Sequence, residues 1–441
     1  MFRSPASLRW LLVWPALLLA ACPGQHPPSL VATTATTGGD GALLLAGARA
    51  SEYASYEGGA RTPISYTPWV ARIDDAVTWS VLLEAAAELH AITERRDGTI
   101  VVSGVASREP AQTLFVAWLD AGGTPIRVRE IVLGTSSIRA SSVTPLDDGE
   151  LVMAAARGET ALIRLDGGGA VRWSISLPGV TQARTLSAPD DTVTLVGNTR
   201  TSTSVLVATF DEVGALVRAH ELQVDSGVRL TAMDATIAAD GAIVLAAQAN
   251  LRSPYDADLV LARLAPPASV DWAFALDRHT TSHAHEVPSG LAARLAAGAD
   301  GTLFVATGIY RGRDAADLAL IEVDATGVTV RQRAIGAAKL AIPLHARLVG
   351  GDVVVAGLDA FGVGHTRWTF GADASIGCES RSWDPALSRF EVALEARGAE
   401  LEVQAPAVTS AREVPITARA PELPPAPWCV VPREPGRAPV R

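Results

Sequence analysis

The side chains best suited to chemistry in this sequence are three imidazoles. His279, His283 and His285 fall within seven positions, next to Glu286, and make up three of the chain's eight histidines. Residues two apart in an extended segment point the same way, so His283 and His285 could meet one ion, with His279 or Glu286 completing the set. Neutral imidazole suits zinc, copper or nickel, which makes these three a candidate weak transition-metal site. A solvated surface loop accounts for the same residues without any ligand. The other reactive groups are three cysteines, Cys22, Cys378 and Cys429.

A search for catalytic patterns returns none. The chain has no Gly-x-Ser-x-Gly elbow, no Walker loop, no His-Glu-x-x-His, no Cys-x-x-Cys and no complete EF-hand loop. No catalytic residue and no cofactor is assigned. Carboxylates are plentiful, but most occupy Asp-Gly dipeptides, where turn geometry already explains them. Calcium binding by some of these loops is conceivable chemistry that the turns do not need.

Those dipeptides organise the chain. Asp40-Gly41, Asp97-Gly98, Asp148-Gly149, Asp240-Gly241 and Asp300-Gly301 each precede a run of apolar residues, and Asp190-Asp191 and Gly350-Gly351 occupy the same place in two further copies. The seven copies stand 42 to 60 residues apart, a period that marks a repeat architecture. Asp-Gly reads as a two-residue hairpin turn, and runs such as Ile100-Val101-Val102 are apolar on both faces, as strands covered by sheets on both sides must be. A strand candidate precedes each turn. A third strand follows it, and most third strands run into a second turn of the kind Asp120-Ala-Gly-Gly123 and then a more polar fourth strand. The expected fold is all-β, a seven-bladed β-propeller of four-stranded antiparallel blades spanning residues 30–370. Residues 30–34 are expected to pair with C-terminal strands and so close the ring. Residues 371–441 read as an extension holding a hairpin around Arg397-Gly398 (390–395 with 400–404) and a Pro-rich loose tail.

The N-terminus reads as a targeting segment. Arg3 and Arg9 precede an apolar run over residues 10–21, too short for the roughly 20 residues a bilayer span requires. The run ends Leu19-Ala20-Ala21-Cys22, which resembles the bacterial lipobox. That resemblance implies cleavage before Cys22, lipidation of its sulfur, including acyl chains such as palmitate, and a lipid anchor at the membrane of a bacterial cell envelope. The alternative is an ordinary signal peptide cleaved near Ala21. Residues 1–21 are then the signal peptide and 22–29 a short tether that holds the folded domain close to the membrane. The formal charge of −10, which becomes more negative when the two arginines leave, argues against nucleic acid as a partner. With Cys22 acylated, Cys378 and Cys429 remain as an even pair in an oxidising compartment, which predicts a disulfide across about 50 residues.

Trp79, Trp173 and Trp272 follow the third strand and its turn at equivalent places. They resemble in part the Asp-x-x-x-Gly-x-x-x-Trp pattern of quinoprotein-type propellers, which implies tryptophans that dock one blade against the next. The quinone is not carried over, because adjacent cysteines and a calcium-carboxylate set are missing. As a whole, the repeats resemble the Asp-Gly-rich propeller-like repeats of secreted bacterial lipoproteins. That resemblance implies a membrane-anchored binding or scaffold protein, not an enzyme, with an unidentified protein or glycan as its ligand. The competing expectation is a propeller enzyme, a lactonase-like hydrolase or a dehydrogenase with its site in the central channel.

Overall fold

In the computed structural model, residues 30–419 are described apart from short connections, the longest being 279–291 and 369–381. The cysteines and the three clustered histidines lie outside the described residues.

The Asp-Gly turn sets the local geometry. Gly98 N donates to Arg95 O (3.0 Å) and Arg95 N to Thr99 O (2.8 Å), which closes a three-residue loop. Gly98 has φ +81°, and the same left-handed glycine recurs at 41, 149, 241 and 301. The aspartate before it does not share that conformation. Its carboxylate instead accepts from the amide two residues on, 3.0 Å for Asp97 and Thr99 and 2.9 Å for Asp148 and Glu150. The expected two-residue turn is therefore corrected to a three-residue one, because the Asp side chain holds its own backbone right-handed and leaves the positive φ to glycine alone.

The strands on either side of these turns assemble into antiparallel sheets in strict chain order. Blades 1 to 6 cover residues 30–83, 86–133, 140–178, 180–224, 230–276 and 293–335, each with four consecutive strands. A seventh sheet, residues 342–368, has three among the described residues. The structure thus has six four-stranded blades and not seven. After Gly362–Trp368 the chain is next described as a strand at the edge of blade 6, so no fourth strand joins the seventh sheet among the described residues.

Second and third strands are buried over nearly all their described length, as in Ile100–Ala106 and Thr113–Leu119, because a neighbouring sheet covers each face. The core is accordingly divided into seven apolar clusters, one at every interface between adjacent sheets. The last of these joins Leu344 and Ala356 of the seventh sheet to Leu45 and Trp69 of blade 1, which closes the ring. The first strands touch one another in the same cyclic order and line the axis. Closure does not follow the expected exchange of strands. Leu30–Thr37 pairs with Leu43–Ser55 of its own blade, so the ring closes by side-chain packing and by polar contacts to Thr37.

The C-terminal segment is neither a hairpin nor a detached extension. It runs backwards around the rim of the ring and adds to the outer edge of each blade in turn. Ser382–Trp383 pairs with blade 6, Arg389–Glu391 with blade 5 and Leu394–Gly398 with blade 4. Gln404 bridges Ser176 of blade 3, Val408–Glu413 pairs with blade 2 and Ala418–Arg419 with blade 1. Short strands separated by turns cannot fold on one another when each finds an open edge beside it, and an unpaired edge is costly to leave bare. Side chains fix this belt in place. Leu387 joins the blade 5/6 core, Arg389 lies 3.8 Å over the Phe274 ring, and Arg412 makes two hydrogen bonds (2.9 and 2.5 Å) to Glu130, which is 1% exposed.

Candidate functional site

Two sets of residues meet the chemical criteria for a site, and only one of them has charge to spare. The first comprises the turn aspartates and the tryptophans. Asp40, Asp240 and Asp300 are held below the usual carboxylate range, chiefly by the amides of Ala42, Ala242 and Thr302. In blades 1, 3 and 5 the turn aspartate also pairs with an arginine from the third strand: Arg72 with Asp40, Arg164 with Asp148 (3.2 Å) and Arg263 with Asp240. Each of these arginines lies opposite the expected tryptophan on the fourth strand, Trp79, Trp173 and Trp272. The indole then crosses to the next blade. Trp79 donates to Ala121 O (2.8 Å), Trp173 to Glu212 O (2.8 Å) and Trp272 to Ala325 O (3.2 Å), with the rings against Gly123, Gly214 and Gly327. These groups satisfy one another and dock blades together. Among the described residues no group of three His, Cys, Asp or Glu is placed to hold a metal ion.

The second set lines the axis, and the sequence motifs did not single it out. Counting back six residues from the aspartate position of each turn gives Thr34, Ala91 and Ser142 in blades 1 to 3, then Arg184, Asp234 and Arg294 in blades 4 to 6. His345 takes the same register in the seventh sheet, where the Gly350-Gly351 turn is one residue shorter. Neutral, small residues on one side of the channel thus face charged ones on the other. Aligning the repeats on their turns reveals this asymmetry, which no local motif signals.

The charged half is tied together across four sheets. Arg184 Nη1 donates to Asp234 Oδ1 at 2.6 Å, and Asp234 Oδ2 accepts from Leu295 N at 2.9 Å. Arg294 donates to Leu344 O (2.7 Å) and Ala293 O (2.8 Å), and to Met233 O at 3.5 Å. Met233 and Leu344 fall where the strand register slips, so their carbonyls leave the ladder and become available to a guanidinium at the channel wall. His345 Nε2 lies 3.0 Å from Thr37 Oγ1, and Arg347 donates to Thr37 O, which joins the seventh sheet to the first.

The electrostatics are one-sided. Burial, then the charges of Arg347, Arg294 and Arg184, push the His345 imidazole down to about 3, so it is neutral at physiological pH. Burial and Arg184 lower Arg294 to about 10 against the opposing pull of Asp234, and it remains protonated. Among the described residues, Asp234 is the one carboxylate hydrogen-bonded within this group. Three guanidiniums against one carboxylate leave an excess of positive charge at the centre of a protein whose formal charge is −10.

No family model matches the sequence, and no curated protein does. Solved structures resemble it at low similarity. A proposed 6-phosphogluconolactonase of Bacteroides uniformis covers 84% of this chain and 99% of its own at 12% identity, with a TM-score of 0.45. The β-propeller domain of the Trilobed protease from Pyrococcus furiosus, reported to have an open velcro topology, covers 78% and 95% at 12% identity and a TM-score of 0.43. The WD40 domain of Toxoplasma gondii coronin covers 70% and 76% at 14% identity and a TM-score of 0.43. Likeness at this level carries no argument about this chain, whose propeller form rests on its own strand pairing.

Proposed function

We propose that this protein is a lipid-anchored, extracytoplasmic binding propeller of a bacterial envelope, with its ligand site in the central channel. The observation that carries the binding reading is the gathering of Arg184, Arg294 and Arg347 by the inner strands of blade 4, blade 6 and the seventh sheet at the channel. Its central imidazole, His345, is pinned neutral by burial and three neighbouring guanidiniums, so it offers positive surroundings and not a proton to transfer. The turn aspartates support the same reading, since their carboxylates are committed to backbone amides. The ligand is then held and not converted. Incubating the purified full chain with a panel of sugar lactones under a pH-stat tests this: no proton release above buffer is expected, and turnover abolished by an Arg347→Gln change would replace the reading with a hydrolase.

Anchoring rests on Cys22 and the apolar run before it. A Cys22→Ser chain should leave the membrane fraction with its propeller folded, and persistence in that fraction would refute the anchor. Cys378 and Cys429 are proposed to be joined by a disulfide. The loop carrying His279, His283 and His285 is proposed to bind zinc weakly, and equal calorimetric heats from the wild type and a triple alanine variant would remove that site.

A further inference from the structure

The ligand class can be named more closely, on the assumption that the channel binds its ligand and does not convert it. We infer that the arginine-rich half of the channel, Arg184, Arg294 and Arg347 from blade 4, blade 6 and the seventh sheet, is a binding site for a small doubly charged oxyanion such as a phosphate ester or a dicarboxylate.

Three features support it. The first is stoichiometry of charge: three guanidiniums converge where Asp234 supplies one negative charge, and Asp234 is itself committed on both oxygens to Arg184 and the Leu295 amide. Uncompensated charge on a partly buried wall is destabilising, and a dianion matches the surplus. The second is preorganisation. The Arg294 guanidinium is fixed by carbonyls of blades 5 and 6 and the seventh sheet and forms no ion pair among the described residues, so it is held rigidly without being neutralised. With Nε and Nη1 donating to these carbonyls, Nη2 is the nitrogen that can donate to a phosphate or carboxylate, and the guanidinium keeps its full charge. The third is access, since Arg347 is exposed and the Arg184 side chain is 41% exposed. The wall opposite carries the small, uncharged Thr34, Ala91 and Ser142 at the same register, with the Glu88 and His90 pair on the same strand as Ala91.

The test is calorimetric titration of the full chain in detergent with three probes: inorganic phosphate, succinate and glucose. Saturable binding of phosphate or succinate at one site per chain is expected, whichever of the two is tighter identifying the acid group, with no heat from glucose. Arg347→Gln should weaken it at least tenfold, while Arg397→Gln, on the exposed belt, should not change it. Raising sodium chloride about tenfold should weaken binding of the wild type, which decides the matter if the Arg347 variant fails to fold. Equal affinities for wild type and Arg347→Gln, or binding indifferent to salt, would overturn the inference. Saturable binding of glucose without the anions would also overturn it, yet would leave the binding-propeller reading intact; lactone turnover would remove that reading and not the anion site.

Discussion

Glycine and histidine in this chain show how much a single residue's surroundings decide. Gly98 and Gly214 both have positive φ, +81° and +83°. A methyl group on Gly98 would meet nothing within 4 Å, whereas on Gly214 it would lie 2.9 Å from the Trp173 ring. Gly98→Ala should therefore cost only backbone strain, about 1 to 2 kcal/mol. Gly214→Ala should cost clearly more, and urea melts of the two variants would rank them. His345 makes a second residue-level prediction. Its folded pKa of about 3 lies below the ordinary 6.5, so the unfolded chain takes up a proton first as pH falls. The stability this confers is complete above about pH 6.5 and is lost as pH drops towards 3, by up to ~1.4 kcal/mol per pH unit. His345→Gln should flatten the slope of thermal stability between about pH 4 and 6.5; an unchanged slope would show that another group titrates there.

At the scale of elements, blades are joined by two kinds of fastening. On the face that carries the turns, a tryptophan from an odd-numbered blade rests on the Asp-x-x-Gly turn of the next. The even-numbered blades place arginine at the matching register, Arg127, Arg218 and Arg331. Trp173 is half-buried and packs on the blade 3/4 core, so Trp173→Ala should cost about 2 to 4 kcal/mol, with the loss visible in the unfolding midpoint. The belt provides the second fastening. Arg412→Ala would take two charge-assisted hydrogen bonds from buried Glu130 and should cost roughly 1 to 3 kcal/mol. Arg397→Ala removes a pair with Glu395 that is more than half exposed on both sides, and should cost no more than a few tenths of a kcal/mol. Equal effects of the two would mean that the belt carries no specific anchor.

For the whole molecule, the belt bears on how the ring stays shut. The first and last described strands share blade 1 without pairing with each other, Leu30–Thr37 at its inner edge and Ala418–Arg419 at its outer. Between them the belt passes six blades, leaving only the seventh sheet outside its circuit among the described residues. Cys378 precedes the belt's first described strand by four residues and Cys429 follows its last by ten. The proposed disulfide would thus turn the belt into a covalent hoop, stabilising the fold by about 2 to 4 kcal/mol through the entropy of the unfolded chain. Mass mapping without reductant should recover the Cys378 and Cys429 peptides joined, and reductant should lower the melting temperature. Full alkylation of both thiols in the unreduced protein would refute the hoop. Truncation before residue 382 should expose the outer edges of the blades and cause aggregation, readable by light scattering.

The sequence by itself determined the repeat. Asp-Gly turns ahead of runs such as Ile100-Val101-Val102 can form only strands with both faces covered, and the third and fourth strands follow from the same spacing, because turn chemistry and strand polarity are local. The docking role of Trp79, Trp173 and Trp272 was legible through the partial resemblance to the quinoprotein-type pattern, because each follows its third strand and turn. Tertiary structure alone decided the rest. Nothing within residues 382–419 distinguishes strands that pair with each other from strands that pair with six separate blades, because the partner edges lie far away in the chain. The short seventh sheet and the side-chain closure at Thr37 depend on that same choice of partners. Arg184, Asp234, Arg294, His345 and Arg347 are scattered singly over more than 160 residues and carry no motif. They come together only because a ring brings the inner strands of four sheets to a common axis.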